Sequence, residues 1–195
     1  MSLKPIIFVL GLSGVGKDYA CCVLKNDYSL LHKDMDRKRA FERAGFSPEW
    51  DKNVLLVDFG VLATGIRCGL MDDYQGVVLS FPTTYRFDRE QLNVASHEGV
   101  AVVLLWGPLE LCWKVRCKRQ YERRGTIPKY DDYLSKNLPT FQMYKCSDYD
   151  VFRVANFEVD ESRPSRDTLL ARMLDSLANQ GLQRICCKLR FPQAR

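Results

Sequence analysis

One stretch of this sequence has the residue types and spacing for chemistry on phosphate. Gly11, Leu12, Ser13, Gly14, Val15, Gly16 and Lys17 fit the pattern Gly-x-x-x-x-Gly-Lys. The physics behind the pattern is direct. Glycines let consecutive backbone N–H groups turn inward and cradle phosphate oxygens. A helix starting at the end of the loop adds partial positive charge. Lys17 supplies a full cation for the β- and γ-phosphates. Asp18 stands where the pattern normally has Ser or Thr on a magnesium ion. A carboxylate also suits magnesium, which prefers hard oxygen ligands and keeps several waters. The same carboxylate adds negative charge beside a triphosphate, so Asp18 reads either as a metal-site residue or as a sign of lost catalysis.

Such a loop works only between a strand and a helix, and the flanking sequence supplies both. Residues 5–10 are continuously apolar, as in a strand buried on both faces of a parallel sheet. Residues 17–26 suit a helix. Ser47-Pro48-Glu49 is a helix start, and apolar residues recur at three- and four-residue steps from Trp50 to Ile66, which predicts a helix over 48–67. Val54 to Asp58 also fits a rival pattern of four apolar residues plus Asp, a strand that would present Asp58 to a metal. Further strands are expected at 77–81, 100–106 and 154–159. Asp88 caps an expected helix to about His97, and Ser165 caps one over 166–179. A helix follows Gly107-Pro108 to about Arg124, and another spans 130–145 with Pro139 as a break. Strands alternating with helices predict an α/β three-layer sandwich with a mainly parallel sheet.

Composition limits the partners. The 195 residues are 46% hydrophobic and 27% charged, as in an ordinary globular chain. The formal net charge of +5 is unevenly spread: residues 114–124 carry +5, residues 182–195 carry +4, and the rest carries −4. A dedicated nucleic-acid binder usually shows a denser basic stripe, so this charge alone does not establish such a partner. Arg116, Arg119 and Arg123 recur at three- and four-residue steps, so they share a helix face. There is no run of 18 apolar residues and no secretory leader pattern at Met1 to Pro5. The eight cysteines lack Cys-x-x-Cys spacing, and two histidines are too few for the usual zinc sites. A cytoplasmic protein with reduced thiols is expected, with no nucleic acid or membrane partner, as a monomer or homodimer. A single domain over 1–181 is expected, followed by a basic extension over 182–195.

At the glycine loop the chain resembles the P-loop kinases, most closely the gluconate and shikimate kinases and the related nucleotide kinases. The resemblance implies a five-stranded parallel sheet with helices on both faces and a helical lid. It implies ATP and Mg2+ as cofactors and phosphoryl transfer to a small hydroxylated metabolite. A nucleoside monophosphate as acceptor is the first alternative; a nucleotide-binding regulatory protein with little turnover is the second. Some of these kinases also have Gly-Lys-Asp, usually followed by Thr; here Tyr19 follows. Asp34-Met35-Asp36-Arg37 falls where this branch has Asp-x-Asp after its second strand, here a short one at Ser29-Leu30-Leu31. Carboxylates two apart on an extended segment point the same way. Asp34 would then help Asp18 place magnesium, and Asp36 would orient or deprotonate the acceptor hydroxyl. The basic run falls at the lid, about 114–135, where Arg119 and Arg123 would close on the transferring phosphate. Arg37, Arg67 and Arg86 are candidate contacts for an anionic group of the substrate, and surface arginine is the plain alternative for each.

Overall fold

The structure is a computed structural model of the 195-residue chain, and it describes residues 4–35, 74–84 and 86–180. The predicted helix 48–67, the rival strand at Val54 to Asp58, Asp36, Arg37, Arg67 and the basic extension 182–195 lie outside the described residues.

Alternation along two strands builds the core. β1 (Ile6–Gly11) and β4 (Val100–Trp106) are apolar almost throughout. Side chains alternate between the faces of a strand. Ile6, Phe8 and Leu10 therefore join Val100, Val102 and Leu104 on one face. Ile7 and Val9 join Ala101, Val103 and Leu105 on the other. A strand can be apolar at every position only if both faces are covered, and here both are.

The sheet is completed by β2 (Leu31–Asp34), β3 (Val77–Ser80) and β5 (Arg153–Ala155), in the order β2-β3-β1-β4-β5 with every pairing parallel. α1 (Lys17–Tyr28), the start of α3 (Leu109–Arg124) and α5 (Arg166–Asn179) cover the second face through Cys21, Leu24, Cys112, Leu169 and Met173. α2 (Arg89–His97) covers the first through Leu92 and Ala95, beside the end of α4 (Tyr130–Tyr144) at Tyr144. This is the expected three-layer α/β sandwich. Among the described residues no helix is long and apolar enough to cross a membrane.

Local signals placed several ends correctly. The Asp88 side chain accepts from Gln91 N–H, and the Gln91 side chain returns a bond to Asp88 N–H, a capping box. Ser165 accepts from Thr168 N–H at the start of α5. Two expectations need correction. Pro139 does not break α4, although proline costs about 3 kcal/mol in a helix interior. The helix beyond it is held by tertiary contacts: Thr140 Oγ1 donates to Thr83 O at 2.9 Å, Phe141 stacks on Trp106 at 4.9 Å, and Tyr144 Oη accepts from Phe87 N–H at 3.0 Å. The last strand is shorter than 154–159. Asn156 N–H still reaches Trp106 O at 2.9 Å, and then the chain turns at Glu158–Glu161, where Glu161 has φ 65°.

Candidate active site

β1 runs straight into the glycine loop, and α1 begins at Lys17 as the loop ends. Gly14 and Gly16 have φ of 91° and 102°, the left-handed region that L side chains rarely adopt. The loop is also tightly enclosed. A Cβ on Gly14 would lie 2.0 Å from Cys112 O, because α3 passes directly against it. A Cβ on Gly16 would lie 2.7 Å from Asn156 Nδ2. Lys17 Nζ donates to Gly11 O at 2.9 Å and Leu12 O at 3.0 Å, so the ammonium is held over the loop.

Three elements distant in sequence hold this loop. From α4, Asn137 Oδ1 accepts from Ser13 N–H at 2.9 Å and Tyr133 Oη donates to Ser13 O at 3.1 Å. Asn137 Nδ2 donates to Tyr133 O, which fixes the amide's orientation. After β3, Thr83 Oγ1 donates to Gly11 O at 3.4 Å. After β5, Asn156 Nδ2 and Arg163 donate to the loop's carbonyls. Burial drives the Cys112 thiol up to about 12 and raises the Tyr133 phenol well above its usual value. Both groups therefore stay neutral beside the loop at neutral pH.

A cleft of about 420 Å³ opens in front of the loop. Its walls include Lys17, Arg116, Arg119, Lys129 and Lys136, against only two carboxylates, Asp18 and Asp132. Such a cleft attracts an anion. Thr83 and Thr84 line it from the carboxyl end of β3, where open parallel sheets bind ligands. Arg119 Nη1 donates to Asp18 Oδ2 at 3.0 Å, so the basic helix is tied to the first turn of α1. Both side chains keep contact with water, and screening limits such a bond's worth to about 1 kcal/mol or less.

Asp34 ends β2, rather than following an earlier strand at 29–31 as expected. Ser80 Oγ donates to Asp34 Oδ1 at 3.5 Å and meets His32 Nε2 at 3.2 Å. Burial lowers the His32 pKa against the opposing pull of Asp34 and Asp18. Among the described residues no cluster of three metal-ligating side chains occurs. Magnesium does not need one, since one or two carboxylates, waters and phosphate oxygens suffice. Asp18 lines the cleft and offers one such carboxylate, whereas Asp34 at the end of β2 does not line it.

The structure thus brings Gly11 to Asp18 together with Arg119. It does not bring in every expected residue. Arg123 is exposed and does not line the cleft, and neither does exposed Arg86. Tyr133, Asn137, Asn156 and Arg163 had no local signal. Lys129 and Lys136 did: they are seven residues apart, at the cap and in the body of α4, hence on one helix face.

No family model matches this sequence, and no curated protein matches it. Solved structures do. The gluconokinase of Sinorhizobium meliloti 1021 is 19% identical with a TM-score of 0.53, covering 100% of both chains. The shikimate kinase of Aquifex aeolicus is 20% identical with a TM-score of 0.53, covering 90% of this chain and 98% of its own. The tunicamycin resistance protein of Deinococcus radiodurans is 15% identical with a TM-score of 0.51, covering 87% of this chain and 93% of its own. Together with the parallel sheet and the glycine loop between β1 and α1, these likenesses establish that the chain has the P-loop kinase fold, in the form seen in gluconate and shikimate kinases.

Proposed function

We propose that this protein transfers the γ-phosphoryl group of ATP to a small hydroxylated metabolite, with magnesium. One observation carries the reading: the glycine loop at the start of α1 opens into a cleft walled by four further cations besides Lys17. Phosphoryl transfer asks the protein mainly for positioning and charge stabilisation, and this arrangement supplies both. The loop amides and Lys17 would bind the β- and γ-phosphates. Asp18 and Asp34 would hold magnesium, partly through water. When bound, the ion neutralises charge on the β- and γ-phosphates. Asp36 would take the proton as the acceptor oxygen bonds to the γ-phosphorus and the bond to the departing ADP oxygen breaks. The basic half of α3 and the segment to about 135 would act as a lid. Arg119 would leave Asp18 for the transferring phosphate, joined by Arg123 on closure. Arg37, Arg67 and Arg86 would recognise an anionic group on the acceptor.

Coupled ADP release across a panel of sugar acids, shikimate and nucleoside monophosphates tests the reading. Turnover with a hydroxylated metabolite is expected. Turnover with nucleoside monophosphates alone would replace it with the nucleotide kinase alternative. Nucleotide binding without turnover for any acceptor would favour a regulatory protein.

Arg119→Ala is expected to lower kcat roughly 10–100-fold while changing the Kd for MgATP less than about threefold, because its main contact would form in the transition state. An unchanged kcat removes Arg119 from the reaction. Asp18→Ser is expected to preserve or improve magnesium-dependent ATP binding, since a hydroxyl also suits the ion and removes a charge facing the triphosphate. A loss of more than about tenfold, near 1.4 kcal/mol, would show that the carboxylate itself is required.

A further inference from the structure

We propose that Arg163 and Asn156 are positioning residues that set the direction of the phosphate loop's N–H groups by holding its carbonyls from behind. The inference rests on the phosphate-binding reading above and assigns a role to two residues outside the motif.

The bonds converge on two adjacent peptide groups. Arg163 Nη2 donates to Gly14 O at 2.8 Å, and Nη1 donates to Val15 O at 2.5 Å and to Asn156 O at 2.9 Å. Asn156 Nδ2 donates to the same Val15 O at 2.6 Å. In a trans peptide the carbonyl and the next residue's N–H point in opposite directions across a rigid plane. The described chain has no cis peptide. Fixing Val15 O therefore turns the Gly16 N–H away from Arg163. Fixing Gly14 O likewise sets the Val15 N–H, which closes the loop onto Leu12 O at 3.2 Å.

These planes need such anchors. Gly14 and Gly16 have no side chains to restrain them, so the freedom that lets the loop adopt its shape also lets its peptides rotate out of it. The donors themselves are fixed. Asn156 is 1% exposed, and its Oδ1 is buried without a partner among the described residues, so this amide is placed for its donor side. The Arg163 guanidinium stacks on the Phe157 ring at 4.0 Å. Among the described residues no carboxylate forms an ion pair with it. A guanidinium's planar fork can span both carbonyls, whereas a lysine ammonium offers a single point.

Binding of MgATP and of inorganic tripolyphosphate, which has no base or sugar, tests the proposal in Arg163→Lys and Arg163→Gln. Both ligands are expected to weaken by the same factor, about tenfold or more. The lysine variant should also show faster hydrogen exchange at the Gly16 amide and a melting temperature close to the wild type. Should Arg163→Gln fail to fold, Arg163→Lys still decides, since it keeps the charge and loses only the fork. Weakened ATP with unchanged tripolyphosphate would mean that Arg163 touches the nucleoside, and overturns the proposal. Unchanged binding of both overturns it too. If the wild-type protein binds neither ligand, the phosphate-binding reading fails and takes this proposal with it.

Discussion

Replacing Gly14 with alanine is expected to abolish ATP binding and to lower the melting temperature by several degrees. Two independent costs combine. A residue with a Cβ at φ 91° is strained by the left-handed conformation, by about 1–2 kcal/mol. The added Cβ would also sit 2.0 Å from Cys112 O and 3.3 Å from Arg116 N. Those are backbone atoms of a helix whose Cys112 is fully buried, so no rotamer change relieves the collision. Either the loop or the start of α3 must move, and both carry cleft residues. In a domain of this size each kcal/mol lowers the melting temperature by roughly 2–4 °C. Gly125→Ala separates the two costs. Gly125 ends α3 at φ 66°, and a methyl group there would meet nothing within 4 Å, so it carries the conformational cost alone. Gly14→Ala should therefore melt lower than Gly125→Ala and bind ATP at least about 100-fold more weakly than wild type, near 2.7 kcal/mol. ATP affinity within about threefold of wild type would show that the loop's shape does not matter to the ligand.

Where a residue's neighbours in sequence were also its neighbours in space, the sequence was legible. β1, the glycine loop and α1 form one continuous unit, and the caps at Asp88 and Ser165 act within three residues. β4 was readable because a strand apolar at every position must be covered on both faces. Local rules failed where distant contacts dominate. Pro139 reads as a break, yet Thr83, Phe87 and Trp106 hold the helix beyond it. Asn137 and Asn156 are plain amides in sequence. They become part of the site only because the fold carries them across 124 and 141 residues to the loop. Arg163 likewise has no local signal, and it reaches Gly14 across 149 residues. The basic run of α3 was visible as charge, but charge alone did not separate Arg119, which meets Asp18, from Arg123, which stays in solvent.

Lys17→Ala should remove ATP-dependent thermal stabilisation while leaving the unliganded protein folded. The ammonium donates to two carbonyls at the end of β1, and water can replace it there because Lys17 is only partly buried. Its loss should therefore cost the free protein little. The bound state is different. Lys17 is the cation built into the loop itself, and charge-assisted bonds to phosphate are about twice as strong as neutral ones. The surrounding cations do not substitute for it: Arg116 and Arg119 stand on α3, Lys129 and Lys136 at the cap and in the body of α4, and none is built into the loop. Stabilisation by a ligand follows its concentration relative to Kd, about 2.7 kcal/mol at 100 times Kd. If the variant binds about 100-fold more weakly, the same concentration leaves only about 0.4 kcal/mol. For a domain of this size that is the difference between a shift of roughly 5–11 °C and one of about 1 °C. Comparing melting curves with and without MgATP in both proteins measures it directly. An undiminished shift in the variant would mean that ATP binds elsewhere, and the glycine loop would lose its place in the mechanism.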